Sequence, residues 1–184
     1  MNQEQLLALQ EEIETFEADE NFPHDPYVLI TLQEAATAGL EGNAGVGALL
    51  VGPDGEVAHR DRNRMFHPYF RSDYHAEMVL LTAFEEQIKG AHTLKGYSLY
   101  SSLEPCEMCM IRIINAGVSN VYYAGIDAGK GAVNGPHRLA DHWRDLAEKQ
   151  NIAQANCSPR LAEIGLEIFL ATIADVRRKL HERR

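Results

Sequence analysis

Apolar and polar positions follow two rhythms along this chain, one helical and one strand-like. Residues 3–17 set Leu6, Leu7, Leu9, Ile13 and Phe16 among acids, the spacing of an amphipathic helix. The stretch NFPHDP then breaks the pattern with two prolines. Residues 27–39 predict a second helix, closed by Gly39. The apolar run 46–52 (VGALLVG), the turn residues PDG and the segment 56–62 (EVAHRDR) predict a β-hairpin. An irregular, aromatic-rich stretch covers 63–74. Helices are expected over 76–89, 106–117 and 138–149, strands over 97–102 and 119–124, and a further short strand over 151–156. Residues 125–136 hold four glycines and a proline and predict a loop. Ser158–Pro159 has the form of an N-cap with proline in the first turn. From there Leu161, Ile164, Ile168, Phe169, Ile173, Val176 and Leu180 keep helical spacing to the end. This order of elements predicts a mixed sheet covered by helices on both faces.

Composition narrows the class. The 184 residues are 45% apolar and 24% charged, ordinary for a globular protein, and exclude a disordered, collagen-like or coiled-coil chain. No apolar run approaches the roughly 20 residues of a membrane helix. The first ten residues lack the basic start and apolar stretch of a signal peptide. With three cysteines, a disulfide scaffold is excluded and a cytoplasmic setting is the expectation.

Charge is unevenly placed. The net charge is −10, yet residues 1–59 contain no Lys or Arg and carry 12 of the 27 acids. Residues 1–20 are expected to form an acidic helical extension, packed on the body or on a partner subunit, ahead of a domain over 21–184. Arg177, Arg178, Lys179, Arg183 and Arg184 form the one basic cluster. Cations at the end of a last helix suit its dipole; contact with nucleic acid would need clustered cations free to displace counterions.

Candidate chemistry sits in two short motifs. His75-Ala76-Glu77 and Pro105-Cys106-Glu107-Met108-Cys109 each open an expected helix. Cysteines at i and i+3 share a helix face, so both sulfurs can meet one ion. A helix start favours a thiolate at Cys106. One imidazole and two thiolates give three ligands for a single Zn²⁺, and leave a fourth position for water, as catalytic zinc requires. Glu77, two residues past His75, can face that water without ligating the ion and shuttle its proton. A buried cysteine pair beside a surface histidine is the plainer alternative. Cys157 has no partner motif and is expected to be a small buried side chain.

The motif H-x-E with P-C-x-x-C is the signature of zinc-dependent deaminases that act on nucleobases. The chain resembles the cytidine deaminase-like superfamily, and within it the branch of bacterial guanine deaminases and tRNA-specific adenosine deaminases. The residues that carry the resemblance are VGALLV (46–51), Asn63, HAE (75–77), SSLEPCEMC (101–109) and NVYYAGIDAGKGAVNG (120–135). It implies an α/β fold of three layers, α/β/α, with a mixed central sheet of about five strands, and a homodimer. Hydrolytic deamination of a nucleobase follows from the same likeness, with His75, Cys106 and Cys109 on zinc and Glu77 moving protons. Asn63 stands where family members hydrogen-bond the substrate, and Val46 where a side chain packs on the base. The backbone N–H groups of Ala76 and Cys106 would face polar substrate atoms. The acidic extension and residues 138–158 depart from the pattern.

Other residues bear on the substrate. Phe66, Tyr69, Phe70 and Tyr74 crowd one loop and could stack on a base or pack the loop onto the body. Asp127, Asp141, His142 and Trp143 are further polar or aromatic candidates near the cleft mouth; Asp141 is the acid expected to accept from an exocyclic amine, with Trp143 beside it. Guanine to xanthine is the expected reaction, on a free small molecule and with nucleic acid disfavoured by the acidity. The alternatives are adenosine in tRNA, cytosine or cytidine, and a noncatalytic zinc-binding dimerisation module.

Overall fold

A computed structural model describes residues 3–90, 93–127, 131–133 and 139–183. The chain runs α1 (Gln3–Thr15), α2 (Asp25–Leu40), β1 (Gly47–Val51), β2 (Val57–Arg62), α3 (Ala76–Gln87), β3 (Ser98–Leu103), α4 (Glu107–Ala116), β4 (Asn120–Gly125), α5 (Asp141–Ala147), β5 (Asn151–Gln154) and α6 (Pro159–Glu182). The sheet order is β2-β1-β3-β4-β5. β1 is antiparallel to β2 and β3, while β3, β4 and β5 are parallel. The expected short strand at 151–156 is therefore real and forms a sheet edge. Residues 128–130 and 134–136 of the glycine-rich stretch, residue 137, residue 138 at the start of the helix expected over 138–149, and Arg184 lie outside the described residues.

Strand alternation sorts side chains between the two faces. Leu49, Val51, Tyr100 and Ala124 enter a core with α1, α2 and α6. Ala48, Leu50, Leu99 and Val121 enter a second core with α3 and α4. This is the three-layer α/β/α arrangement. Helix α1 buries Leu6, Leu9 and Ile13 in the first core. The Arg160 guanidinium on α6 grips Glu12 of α1 through two bonds of 2.7 and 2.8 Å and also reaches Glu167. Among the described residues no helix is long and apolar enough to cross a membrane.

Two local expectations are corrected. Gly39 does not end α2, which continues to Leu40. A Cβ at Gly39 would lie 3.0 Å from Thr172 Cγ2 and 3.2 Å from Leu6 Cδ1, so this glycine lets α2 approach α6 and α1. The chain turns instead at Gly42, whose φ of 88° favours glycine. Ser158 does occupy the N-cap of α6, but its hydroxyl makes no capping bond. It donates to Asp25 Oδ2 at 2.6 Å, and its N–H donates to Asp25 Oδ1 at 2.6 Å. The fully buried Asp25 also accepts the Asp19 N–H. One carboxylate thus ties the start of α2 to the start of α6.

Helix α6 crosses the sheet at close range. A Cβ at Gly165 would sit 2.3 Å from the Ser102 carbonyl oxygen, so only glycine permits this crossing. Its later residues, from Phe169 to Leu180, line the same cleft as His75 and Cys106, which precede α3 and α4.

Candidate active site

The side chains named by the two motifs meet at two helix starts. His75 is the N-cap of α3 and Cys106 the N-cap of α4, both with extended backbone. N-cap positions favour Ser, Thr, Asp or Asn because those side chains satisfy the first free N–H groups. His75 and Cys106 make no such bond, so their side chains are released towards each other.

The resulting triangle has the size zinc requires. Cys106 Sγ lies 3.5 Å from His75 Nδ1, Cys109 Sγ lies 3.6 Å from it, and the two sulfurs are 3.6 Å apart. A tetrahedral zinc, with Zn–S of about 2.3 Å and Zn–N of about 2.0 Å, has an S–N edge of about 3.5 Å and an S–S edge of about 3.8 Å. The sulfurs are too far apart for a disulfide, whose bond is about 2.05 Å. Among the described residues this is the one group of three metal-capable His, Cys, Asp or Glu side chains. The donor set fits a single Zn²⁺ per subunit.

Electrostatics point the same way. The hydrogen bond shared with Cys109 lowers the Cys106 thiol to about 4, against burial and with help from His75. That bond, together with burial, pushes Cys109 well above the usual thiol range. Coordination to an ion deprotonates both sulfurs. Burial works against charge on His75, but the bond and charge of Cys106 outweigh it and raise its pKa. Glu77 is 3% exposed. Burial first, then the negative charge of Cys106, raise its carboxyl above the ordinary glutamate range. The Ser101 hydroxyl donates to Glu77 Oε1 at 3.3 Å.

These groups open into a cleft of about 280 Å³, which Val46, Asn63 and Ala76 also line. Asn63 is 2% exposed, and its Oδ1 accepts the Met65 N–H at 3.0 Å. That bond leaves its Nδ2 donors for the cleft.

The opposite wall belongs to α6. Phe169, Ile173, Val176 and Leu180 line the cleft, with Arg177 at its edge. The helical spacing was legible, but the stripe changes partner halfway. Leu161, Ile164 and Ile168 enter the core, and the later positions roof the cleft. Glu104 and Asp127 line it too.

Two expected residues stand elsewhere. Asp141 and Trp143 are not among the residues that line this cleft. The Asp141 side chain is 84% exposed and pairs with Arg144 one turn on. Trp143 packs on the second core, because α5 turns its apolar side to α4. Of the two aspartates expected near the cleft mouth, Asp127 is the one that lines it. The aromatic loop packs on the body instead of entering. Phe66 and Phe70 pair at 5.4 Å, with Lys179 over Phe66 and Arg183 over Phe70. Tyr69 is 61% exposed.

The zinc-binding region of cytidine and deoxycytidylate deaminases matches residues 23–125, more than half of the chain. The chain belongs to this deaminase family. The deaminase is 32% identical over 134 residues to the tRNA-specific adenosine deaminase of Agrobacterium fabrum, covering 68% of this chain and 86% of that one. It is 33% identical over 141 residues to the tRNA(Ile)-lysidine synthase of Deinococcus radiodurans, covering 73% of this chain but only 22% of that one. A solved tRNA:A34 deaminase superposes with a TM-score of 0.62 at 28% identity, covering 76% of this chain and 95% of that one. The guanine deaminase from Nitrosomonas europaea shares the fold, with a TM-score of 0.61 at 20% identity over 88% of this chain and 92% of that one.

Proposed function

We propose that this deaminase removes an exocyclic amine from a free purine base by hydrolysis, and that guanine, giving xanthine and ammonia, is its substrate. The observation that carries the reaction class is the buried Glu77 carboxyl lining the same cleft as the His75–Cys106–Cys109 triangle. Zinc, when bound, makes a water acidic enough to act as nucleophile at neutral pH. Glu77 takes one proton of the attacking water and hands it to the ring nitrogen beside the reacting carbon, then takes the second from the hydroxyl so formed and delivers it to the departing amine, so that the carbonyl forms as ammonia leaves. The raised pKa of Glu77 suits a group that must both accept and return a proton. Asn63 Nδ2 donates to an acceptor on the ring edge, and Val46 packs on the ring face. The first-turn N–H groups of Ala76 and Cys106, which no helix carbonyl can reach, offer further donors. Asp127, which lines the same cleft, is the acid proposed to face an N–H of the base.

A small, roofed cleft supports a free base. Its volume, about 280 Å³, falls at the low end of ligand sites, and α6 covers it with apolar side chains. The basic cluster is largely engaged within the chain. Arg178 pairs with Asp175 and Glu182, and Lys179 pairs with Asp175 and donates to the Gly42 carbonyl. The second reading, adenosine in tRNA, is favoured by the likeness to the Agrobacterium adenosine deaminase. The proposal includes a homodimer, checked by light scattering.

The deciding experiment compares ammonia release from guanine, adenine, cytosine and their nucleosides with inosine formation in an anticodon stem-loop, each with a chelator control. Chelator-sensitive ammonia from guanine is expected. Inosine in the stem-loop without release from guanine overturns the substrate in favour of the second reading. Stoichiometric zinc with no turnover on any of them favours the noncatalytic module.

A further inference from the structure

Glu104 is a carboxyl that the chemistry above does not use. It follows β3 directly, is 3% exposed, and stands two residues before the metal-facing Cys106. Its Oε2 accepts the Asp127 N–H at 3.2 Å and its Oε1 accepts the Val133 N–H at 3.0 Å. Its own N–H donates to the Gly125 carbonyl at 2.8 Å, and the Ala132 N–H donates to the Pro105 carbonyl at 2.9 Å. Four bonds therefore stitch residues 104–105 to residues 125–127 and 132–133. Gly131 makes this fit possible. A Cβ there would lie 1.9 Å from Glu104 Cδ and 2.2 and 2.3 Å from its two oxygens, contacts no side chain can hold.

We propose that Glu104 is a positioning residue: its carboxylate, seated against Gly131, holds residues 125–127 and 131–133 in place and with them the Asp127 edge of the substrate cleft. This rests on the deaminase reading of that cleft. Two acceptor oxygens on one planar group are what two N–H groups of one loop need. A glutamine keeps only one acceptor and turns an amide NH₂ at the other N–H. Because the wall holds substrate and the proton transfer belongs to Glu77, loss of the clamp weakens binding and spares the chemical step.

The test uses the full zinc-loaded chain with Glu104→Ala, Glu104→Gln, Gly131→Ala and the Glu104→Ala/Gly131→Ala double variant. On the best amine substrate, Glu104→Ala is expected to raise KM roughly tenfold, the scale of lost charge-assisted hydrogen bonds, with kcat within about threefold and zinc at one per chain. Amide exchange at Asp127 and Val133 should quicken while α3 and α4 stay protected. Gly131→Ala alone should raise KM similarly but add little in the Glu104→Ala background, since the overlap needs the carboxyl. Glu104→Gln, the better folded of the two, should fall between wild type and Glu104→Ala. A collapse of kcat at unchanged KM would make Glu104 a chemical group and overturn the proposal. So would unchanged exchange at both amides, or strict additivity of the pair. If the wild type turns over nothing, the deaminase reading falls by itself, and exchange together with the additivity of melting temperatures still decides the clamp.

Discussion

The floor and the roof of the cleft are built in opposite ways. The floor takes His75, Glu77, Cys106 and Cys109 from the first turns of α3 and α4, within two short motifs. The roof takes Phe169, Ile173, Val176 and Leu180 from one face of α6, far along the chain. A metal centre needs particular atoms at particular distances, so it leaves a spelled-out motif. A wall that excludes water and fits a ring needs only apolar bulk at helical spacing. That spacing is the same whether the side chain meets the core or a ligand.

Substitutions can break this contrast, and the largest effects belong on the floor. Cys106→Ala removes one of three ligands; metal analysis should find zinc lost and turnover below detection. Glu77→Gln should keep stoichiometric zinc and the wild-type melting curve but lose at least about a hundredfold in kcat, the scale of a general acid–base group. Near-normal turnover in that variant would take the proton transfer away from Glu77. Asn63→Asp keeps the acceptor for the Met65 N–H and removes the donors. It should cost at least about tenfold in kcat/KM, and an unchanged value would place Asn63 outside recognition. On the roof, Ile173→Ala should raise KM about threefold to tenfold at constant kcat and full zinc, as lost apolar contact does. A fall in kcat or zinc there would merge roof and floor.

The smallest effect concerns the scaffold. The hydrogen bond from Arg160 holds Glu12 below the ordinary glutamate range, and that from Arg62 does the same for Glu41. A carboxyl whose folded pKa is depressed binds fewer protons in the native state. Its contribution is complete above the unfolded value and disappears as pH falls through the folded one. Both pairs are partly exposed and screened, so acidification should lower the melting temperature through these pairs by about a few degrees at most. Melts of Arg160→Ala and Arg62→Ala across acid pH should show a shallower decline than wild type.

What the sequence disclosed follows from how local each signal is. Strand alternation in VGALLV and YSLYSS, and helical spacing in α1 and α6, depend on neighbours a few residues apart, and all eleven elements were legible. The metal triangle was legible because helix geometry alone brings Cys106 and Cys109 together. Asp141 was mistaken for a cleft residue because no local pattern tells whether a helix faces a pocket or solvent. Asp127 was a candidate from the start, but its tie to Glu104 was hidden for a related reason: a pairing through a backbone N–H joins two loops and leaves no trace in residue type. Gly39 looked like a stop signal, though its purpose, close contact with Thr172 and Leu6, is visible only in three dimensions.

The knot at Asp25 has a mechanical consequence. With its origin clamped by 2.6 Å bonds and its second turn wedged against Ser102 at Gly165, α6 is built into the body like a beam at one end. Its far end rests on the rings of Phe66 and Phe70 through Lys179 and Arg183, so the apolar face between these two supports is held at a set height above the His75–Cys106–Cys109 triangle.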